Sequence, residues 1–255
     1  MSWKRLFASL VFYPQVGFAI YKANLKSRRN RLDPPAVHAF GIEVRKAIES
    51  VGVHFDVTGS ENLAAGGPFV YISNHMSVLE TLVLPGLLPT YPPCTFVIKE
   101  SLLRYPVFGP VMAALDPIVV TRENPRQDLA TVLAEGEKRL RQGKSVVIFP
   151  QAARCMDFDA AAFNSLGAKL AQRAGVPIVP VALRTDAWGL GTYIRDIGWI
   201  DPSRRTHFAF GRPIPSEDRQ ANDSVVSFIK AKVEEWDEAD PAAPEPVLVP
   251  GEHRS

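Results

Sequence analysis

The chain has 255 residues, 46% of them hydrophobic and 22% charged, a composition that excludes wholesale disorder. Its formal net charge is only +2, but seven cations (Lys4, Arg5, Lys22, Lys26, Arg28, Arg29 and Arg31) precede the first acid, Asp33. Without them the balance is about −5, which excludes the broad basic face of a nucleic-acid-binding protein.

The first element is an apolar, uncharged run from Leu6 to Tyr21, interrupted at Pro14. It falls short of the roughly 20 apolar residues that a bilayer span requires. Cations flank it on both sides, and no small-x-small cleavage site follows, so a signal peptide is not expected. Residues 1–31 therefore read as a helix or re-entrant hairpin lying in one membrane leaflet, with a helix docked on a soluble core as the alternative. From Pro34 to Val51, the residues Val37, Phe40, Val44, Ile48 and Val51 recur at helical spacing and predict a helix that packs on the domain that follows.

Beyond it, short β-like runs alternate with helical ones. The strands are expected at His54–Thr58, Phe69–Ser73, Thr95–Ile98, Ile118–Thr121, Ser145–Pro150, Ile178–Leu183 and His207–Phe210. The helices are expected at Val78–Leu88, Tyr105–Ala114, Asp128–Gln142, Ala160–Ala174 and Asn222–Ala239. That alternation predicts one α/β domain over residues 32–239, with a mixed, mainly parallel sheet flanked by helices. The runs FVYIS and SVVIF are apolar throughout, as strands covered on both faces should be. Residues 240–255 are rich in proline and read as a disordered tail. Two cysteines, Cys94 and Cys155, fit neither a disulfide framework nor a zinc pattern and point to a reducing, cytoplasmic setting.

The richest site lies where the strand Phe69–Ser73 ends, in SNHMSVLETLVLP. Asn74 and His75 fall in a strand-to-helix turn, where side chains become available to a cleft. Glu80 follows His75 by five residues, an offset that would not align two side chains on one helix. With His75 in the turn and Glu80 inside the helix, the carboxylate can hold one imidazole nitrogen and leave the other free to take a proton. Taken alone, His-x-x-x-x-Glu reads more readily as a capping or core histidine. No Walker loop, dinucleotide glycine fingerprint, metal cluster or Gly-x-Ser-x-Gly elbow occurs.

His75 is followed in order by Lys99, then Val120-Thr121-Arg122, then Phe149-Pro150-Gln151-Ala152-Ala153-Arg154, then Val176-Pro177-Ile178-Val179-Pro180-Val181. This series resembles the lysophospholipid acyltransferase family, whose best-known members are the 1-acylglycerol-3-phosphate acyltransferases; the resemblance covers roughly Phe55 to Pro215. It implies an acyl group passing directly from acyl-CoA or acyl carrier protein to a lysophospholipid hydroxyl, without a cofactor or metal. His75 would be the general base and Glu80 its acidic partner, at a position where the family usually has aspartate. Arg122 would hold the acceptor's phosphate, with Lys99 adding charge.

The block from Phe149 to Arg154 departs from the family's usual Phe-Pro-Glu-Gly-Thr-Arg. Gln151 can still hydrogen-bond an acceptor but offers no carboxylate. Ala152 lacks the conformational freedom of glycine, Ala153 lacks a hydroxyl, and Arg154 still promises an anion site. Direct transfer leaves Cys155 as a small neighbour of Arg154 rather than a covalent nucleophile. Another lysolipid or hydroxylated acceptor, a lipid-binding protein without turnover, and a thioesterase are the alternatives. The expected surroundings are membrane lipids at the cytoplasmic face, reached peripherally or monotopically. Gly109, between Pro106 and Pro110, marks either a close approach to ligand or a helix bend.

Overall fold

A computed structural model describes residues 3–64, 66–151 and 153–239. The segment expected to be a disordered tail, 240–255, lies outside the described residues.

The chain opens with one continuous helix, α1 (Trp3–Arg28), that runs through Pro14, so the hairpin form is not adopted. Over 26 residues it extends about 39 Å at the standard rise. Its inner stripe, Ala8, Phe12, Val16, Ala19 and Ala23, is buried in the main core. Its outer stripe, Trp3, Phe7, Leu10, Phe18 and Tyr21, is exposed. Both stripes recur at intervals of three to eight residues, so α1 is apolar on two sides rather than one. Among the described residues no helix is long and apolar enough to cross a membrane.

Helix α2 (Pro34–Glu49) starts at Asp33, whose carboxylate accepts the Ala36 N–H at 2.9 Å, with Pro34 at the first helical position. Then follow β1 (His54–Thr58), β2 (Val70–Ser73), α3 (Leu79–Leu87), β3 (Cys94–Lys99), α4 (Phe108–Ala114) and β4 (Ile118–Val120). The rest are α5 (Pro125–Arg141), β5 (Ser145–Ile148), α6 (Leu166–Ala174), β6 (Ile178–Arg184), β7 (Arg205–Phe210) and α7 (Ala221–Ala239).

Three helices differ from expectation. The segment preceding α4 is a 3-10 turn, Glu100–Arg104, and a side chain at Gly109 would collide with the Leu103 carbonyl. Gly109 therefore serves a close approach of the protein to itself. Helix α5 begins earlier, because Asn124 accepts the Gln127 N–H at 3.2 Å and Pro125 pre-sets the first turn. Helix α6 begins only at Leu166, because Asn164 binds the Leu166 N–H at 2.9 Å and reaches the Pro150 carbonyl. The chain before Leu166 thus follows the end of β5 instead of winding into a helix.

The seven strands lie in the order β1-β7-β6-β2-β5-β3-β4. Only the β6–β7 pairing is antiparallel; β6, β2, β5, β3 and β4 run parallel to one another. Along β2 the side chains alternate between two cores: Tyr71 faces α1 to α4, and Val70 and Ile72 face α5 to α7. Covered on both faces, the central strands need no polar alternation, which is why they read as unbroken apolar runs. The carboxyl ends of the five parallel strands share one edge, the usual place for a site in such sheets.

Candidate active site

The turn after β2 is fixed before His75 is reached. The Asn74 side chain behaves as an extra rung of the sheet: its amide donates to the Leu183 carbonyl at 2.8 Å and its oxygen accepts the Leu183 N–H at 2.9 Å. The His75 N–H then donates to Gln151 Oε1 at 2.9 Å, and its carbonyl accepts the Cys155 N–H at 2.9 Å. Gln151 is buried. Expected to meet the acceptor, it grips the backbone of the histidine turn through Oε1. The block after β5 therefore staples the turn that follows β2.

Glu80 lies in the first turn of α3 and is fully buried. Its Oε1 accepts from His75 Nδ1 at 2.8 Å, from the Met76 N–H at 2.6 Å and from the Ser77 N–H at 2.8 Å. Its Oε2 accepts from the Thr185 hydroxyl at 2.7 Å and the Ser77 hydroxyl at 2.9 Å. Burial pushes the carboxyl's pKa up, but the His75 hydrogen bond and charge, the Thr185 hydroxyl and a backbone N–H outweigh it and hold the group below its ordinary value. The positive end of α3 favours the anion in the same sense. Glutamate's extra methylene is absorbed by this folding back onto the helix N-terminus.

An ionised carboxylate at Nδ1 fixes the imidazole proton there and leaves Nε2 with its lone pair. The ring is partly exposed and lies face to face with Phe149, centroids 4.2 Å apart at 17°. Phe149 is in turn stacked on Phe96. Five donors on the carboxylate and an aromatic floor hold the imidazole in one orientation.

Across the sheet edge the order is Thr185 after β6, His75 after β2, the Phe149–Arg154 block after β5, Lys99 ending β3 and Arg122 after β4. Lys99 is exposed and is the register partner of Val120, so it and Arg122 leave adjacent strand ends. Arg122 has φ of 63°, a left-handed conformation held by its own N–H on Asp128 Oδ2 at 2.7 Å. Strands β2 and β4 are three places apart, about 14 Å at normal strand spacing. Arg154 is tied more directly to His75: the N–H of its neighbour Cys155 donates to the His75 carbonyl, and its own guanidinium is ion-paired with Asp196. Cys155 is exposed and free, while Ala152, with its expected restriction, lies outside the described residues. No cluster of metal-ligating side chains occurs among the described residues.

Sequence reasoning missed Ser77, Thr185, Phe149 and Asp196. A family model described as Acyltransferase matches residues 54–184, which hold every one of these groups except Thr185 and Asp196. The chain belongs to the acyltransferase family. Among its relatives, a 1-acyl-sn-glycerol-3-phosphate acyltransferase of Pseudomonas aeruginosa is 29% identical over 185 residues, covering 72% of this acyltransferase and 68% of that protein. A protein of the same name from Borreliella burgdorferi is 33% identical over 134 residues, 52% of each chain. The aligned stretch thus spans about two thirds of the first relative and half of the second. The crystal structure of the 1-acyl-sn-glycerophosphate acyltransferase of Thermotoga maritima superposes with a TM-score of 0.65 at 20% identity, over 94% of this chain and 98% of that one, which shows a shared fold.

Proposed function

We propose that this acyltransferase moves a fatty acyl group from acyl-CoA or acyl carrier protein to the free hydroxyl of 1-acylglycerol 3-phosphate, yielding phosphatidic acid. The observation that carries the reading is the His75–Glu80 pair, with Nδ1 held at 2.8 Å and Nε2 left to the cleft. Nε2 takes the acceptor's hydroxyl proton as that oxygen attacks the thioester carbonyl. The C–O bond forms, the carbonyl becomes an oxyanion, and its collapse breaks the C–S bond. The imidazolium, stabilised by Glu80, returns the proton to the departing thiolate. The thioester already carries the activation, so the reaction as proposed draws on no cofactor or metal.

Arg154, with Arg122 and Lys99 farther along the edge, supplies cations for the acceptor's phosphate, and guanidinium forks suit that group. Because Arg154 is paired with Asp196, a phosphate must compete with that carboxylate. A different lysolipid acceptor is the second reading. It is favoured by Gln151, whose Oε1 is bonded to the His75 N–H and whose remaining amide nitrogen offers an acceptor hydroxyl no carboxylate oxygen. Membrane association is supported by the exposed stripe of α1 and its flanking cations, which suit a peripheral or monotopic position at the cytoplasmic face.

The test is incubation of purified protein with labelled acyl-CoA or acyl carrier protein and a panel of lysolipids in detergent micelles. Labelled phosphatidic acid is the expected product. Label in another phospholipid selects the second reading. Free fatty acid alone means hydrolysis, and unchanged donor means a binding protein; either result overturns the proposal.

A further inference from the structure

The segment between β6 and β7 carries the most exposed apolar side chains outside α1. Within it Tyr193 is 100% exposed, Ile194 55%, Ile197 54% and Trp199 48%. Four large apolar groups in water over seven residues call for an explanation beyond ordinary surface scatter. The loop is built, not loose. Gly189 N–H bonds the Trp199 carbonyl at 3.1 Å, Gly191 N–H the Arg195 carbonyl at 3.2 Å and Ile197 N–H the Ile194 carbonyl at 2.8 Å. A side chain at Gly191 or Gly198 would collide with backbone across the loop.

The loop is fastened to α1. The Ser9 hydroxyl accepts the Ile200 N–H at 2.9 Å, the Tyr13 hydroxyl donates to the Gly198 carbonyl, and Arg5 is ion-paired with Asp201. Trp188 packs edge-on against both Phe12 and Tyr13. The bonds on either side of Trp199 thus press its backbone to α1. At its other end the loop reaches the site. Arg195 donates to the Arg154 carbonyl at 2.7 Å, and Asp196 pairs with the Arg154 guanidinium. The loop's one acid, Asp196, therefore faces a cation of the protein, whereas Lys4 lies at the end of α1 that the loop is tied to and Lys22 to Arg31 lie at and beyond its other end.

We propose that the 189–200 loop is a second lipid-contacting element, inserting Tyr193, Ile194, Ile197 and Trp199 into an anionic phospholipid surface beside α1. The inference deepens the membrane reading above and rests on it. Two features select lipid over a protein partner. Tyrosine and tryptophan suit the boundary between headgroups and chains, and the cations around α1 complement anionic headgroups. The same loop touches Arg154 through Arg195 and Asp196, so the surface that meets the bilayer adjoins the cation proposed for the acceptor's phosphate.

The full chain is tested on vesicles of mixed phosphatidylcholine and phosphatidylglycerol. Tyr193→Ser/Ile194→Ser, which alters no bonded side chain, should lower partitioning onto them about tenfold or more with α1 intact. Brominated phosphatidylcholine should quench wild-type fluorescence more than that of Trp199→Phe. Partitioning equal to wild type, or equal quenching in the two proteins, overturns the proposal and leaves the loop to a protein partner. Acyl transfer to acceptor in detergent micelles should be unchanged in the double variant. Loss of transfer there in wild type would defeat the functional reading while leaving the vesicle result to judge the loop.

Discussion

At the scale of single residues the proposed catalytic pair depends on groups placed to touch no substrate. Glu80 is fully buried and is held ionised by five donors, three of them side chains: His75 on Oε1, and Ser77 and Thr185 on Oε2. Thr185→Val removes one of these donors and should lower kcat roughly five- to tenfold, about the worth of one hydrogen bond, with KM values unchanged and Thr185→Ser restoring most of the rate. A purely structural role would give equal losses in both variants. Arg154 and Asp196 make a second pair at this scale. Arg154→Ala should raise the acceptor's KM about tenfold or more while leaving the donor's KM alone. Asp196→Asn should lower the acceptor's KM, because the phosphate no longer competes with a carboxylate. Equal effects on donor and acceptor would remove Arg154 from the head-group site.

At the scale of elements, helix α3 must be placed so that Glu80 meets His75, and its placement depends on a close crossing with α2. Gly41 and Gly86 face each other there, and a side chain at either would strike the other's backbone. Gly41→Ala should destabilise the fold by about 1–3 kcal/mol, read as a lower denaturation midpoint in urea. The elements were largely legible from the chain because their signals are local: apolar runs for strands covered on both faces, and helically spaced apolar residues from Val37 to Val51 for α2. The errors have equally local causes. Asn164 binds Leu166 and Pro150 and so ends the loop where α6 was expected to be already wound. In α1, Pro14 resembled an interruption, yet the helix continues and shows apolar groups on two sides.

The candidate site was legible only in part. His75 and Glu80 could be read because a strand end and a first helical turn bring residues five apart together. Arg154 was marked by the ordered blocks. Thr185 and Asp196 are more than a hundred residues from His75, and nothing in their own neighbourhood marks them. Gln151 was read as a group for the acceptor because its type allows that. Only the fold shows it turned to the His75 backbone.

At the scale of the whole molecule, the site couples stability to pH through the same carboxylate. The folded-state pKa of Glu80 lies below its ordinary value of 4.5, so its contribution is present at pH above 4.5 and is lost as pH falls through the lowered value. Acid unfolding below about pH 4.5 should therefore be steeper in wild type than in Glu80→Gln, followed by circular dichroism. The molecule as a whole sets the His75–Glu80 pair at a strand end, cations along the same sheet edge, and a doubly apolar helix tied to the loop that contacts Arg154. That arrangement fits the proposed substrate, whose reactive head would be met at a lipid surface.

The central claim is that His75 is the base. It is tested most directly by the initial rate of label transfer from acyl-CoA or acyl carrier protein to 1-acylglycerol 3-phosphate, comparing wild type with His75→Ala at equal folded concentration. The account predicts a fall of at least about a hundredfold, the usual worth of a positioned general base. A variant that keeps its rate within a few-fold of wild type would contradict it.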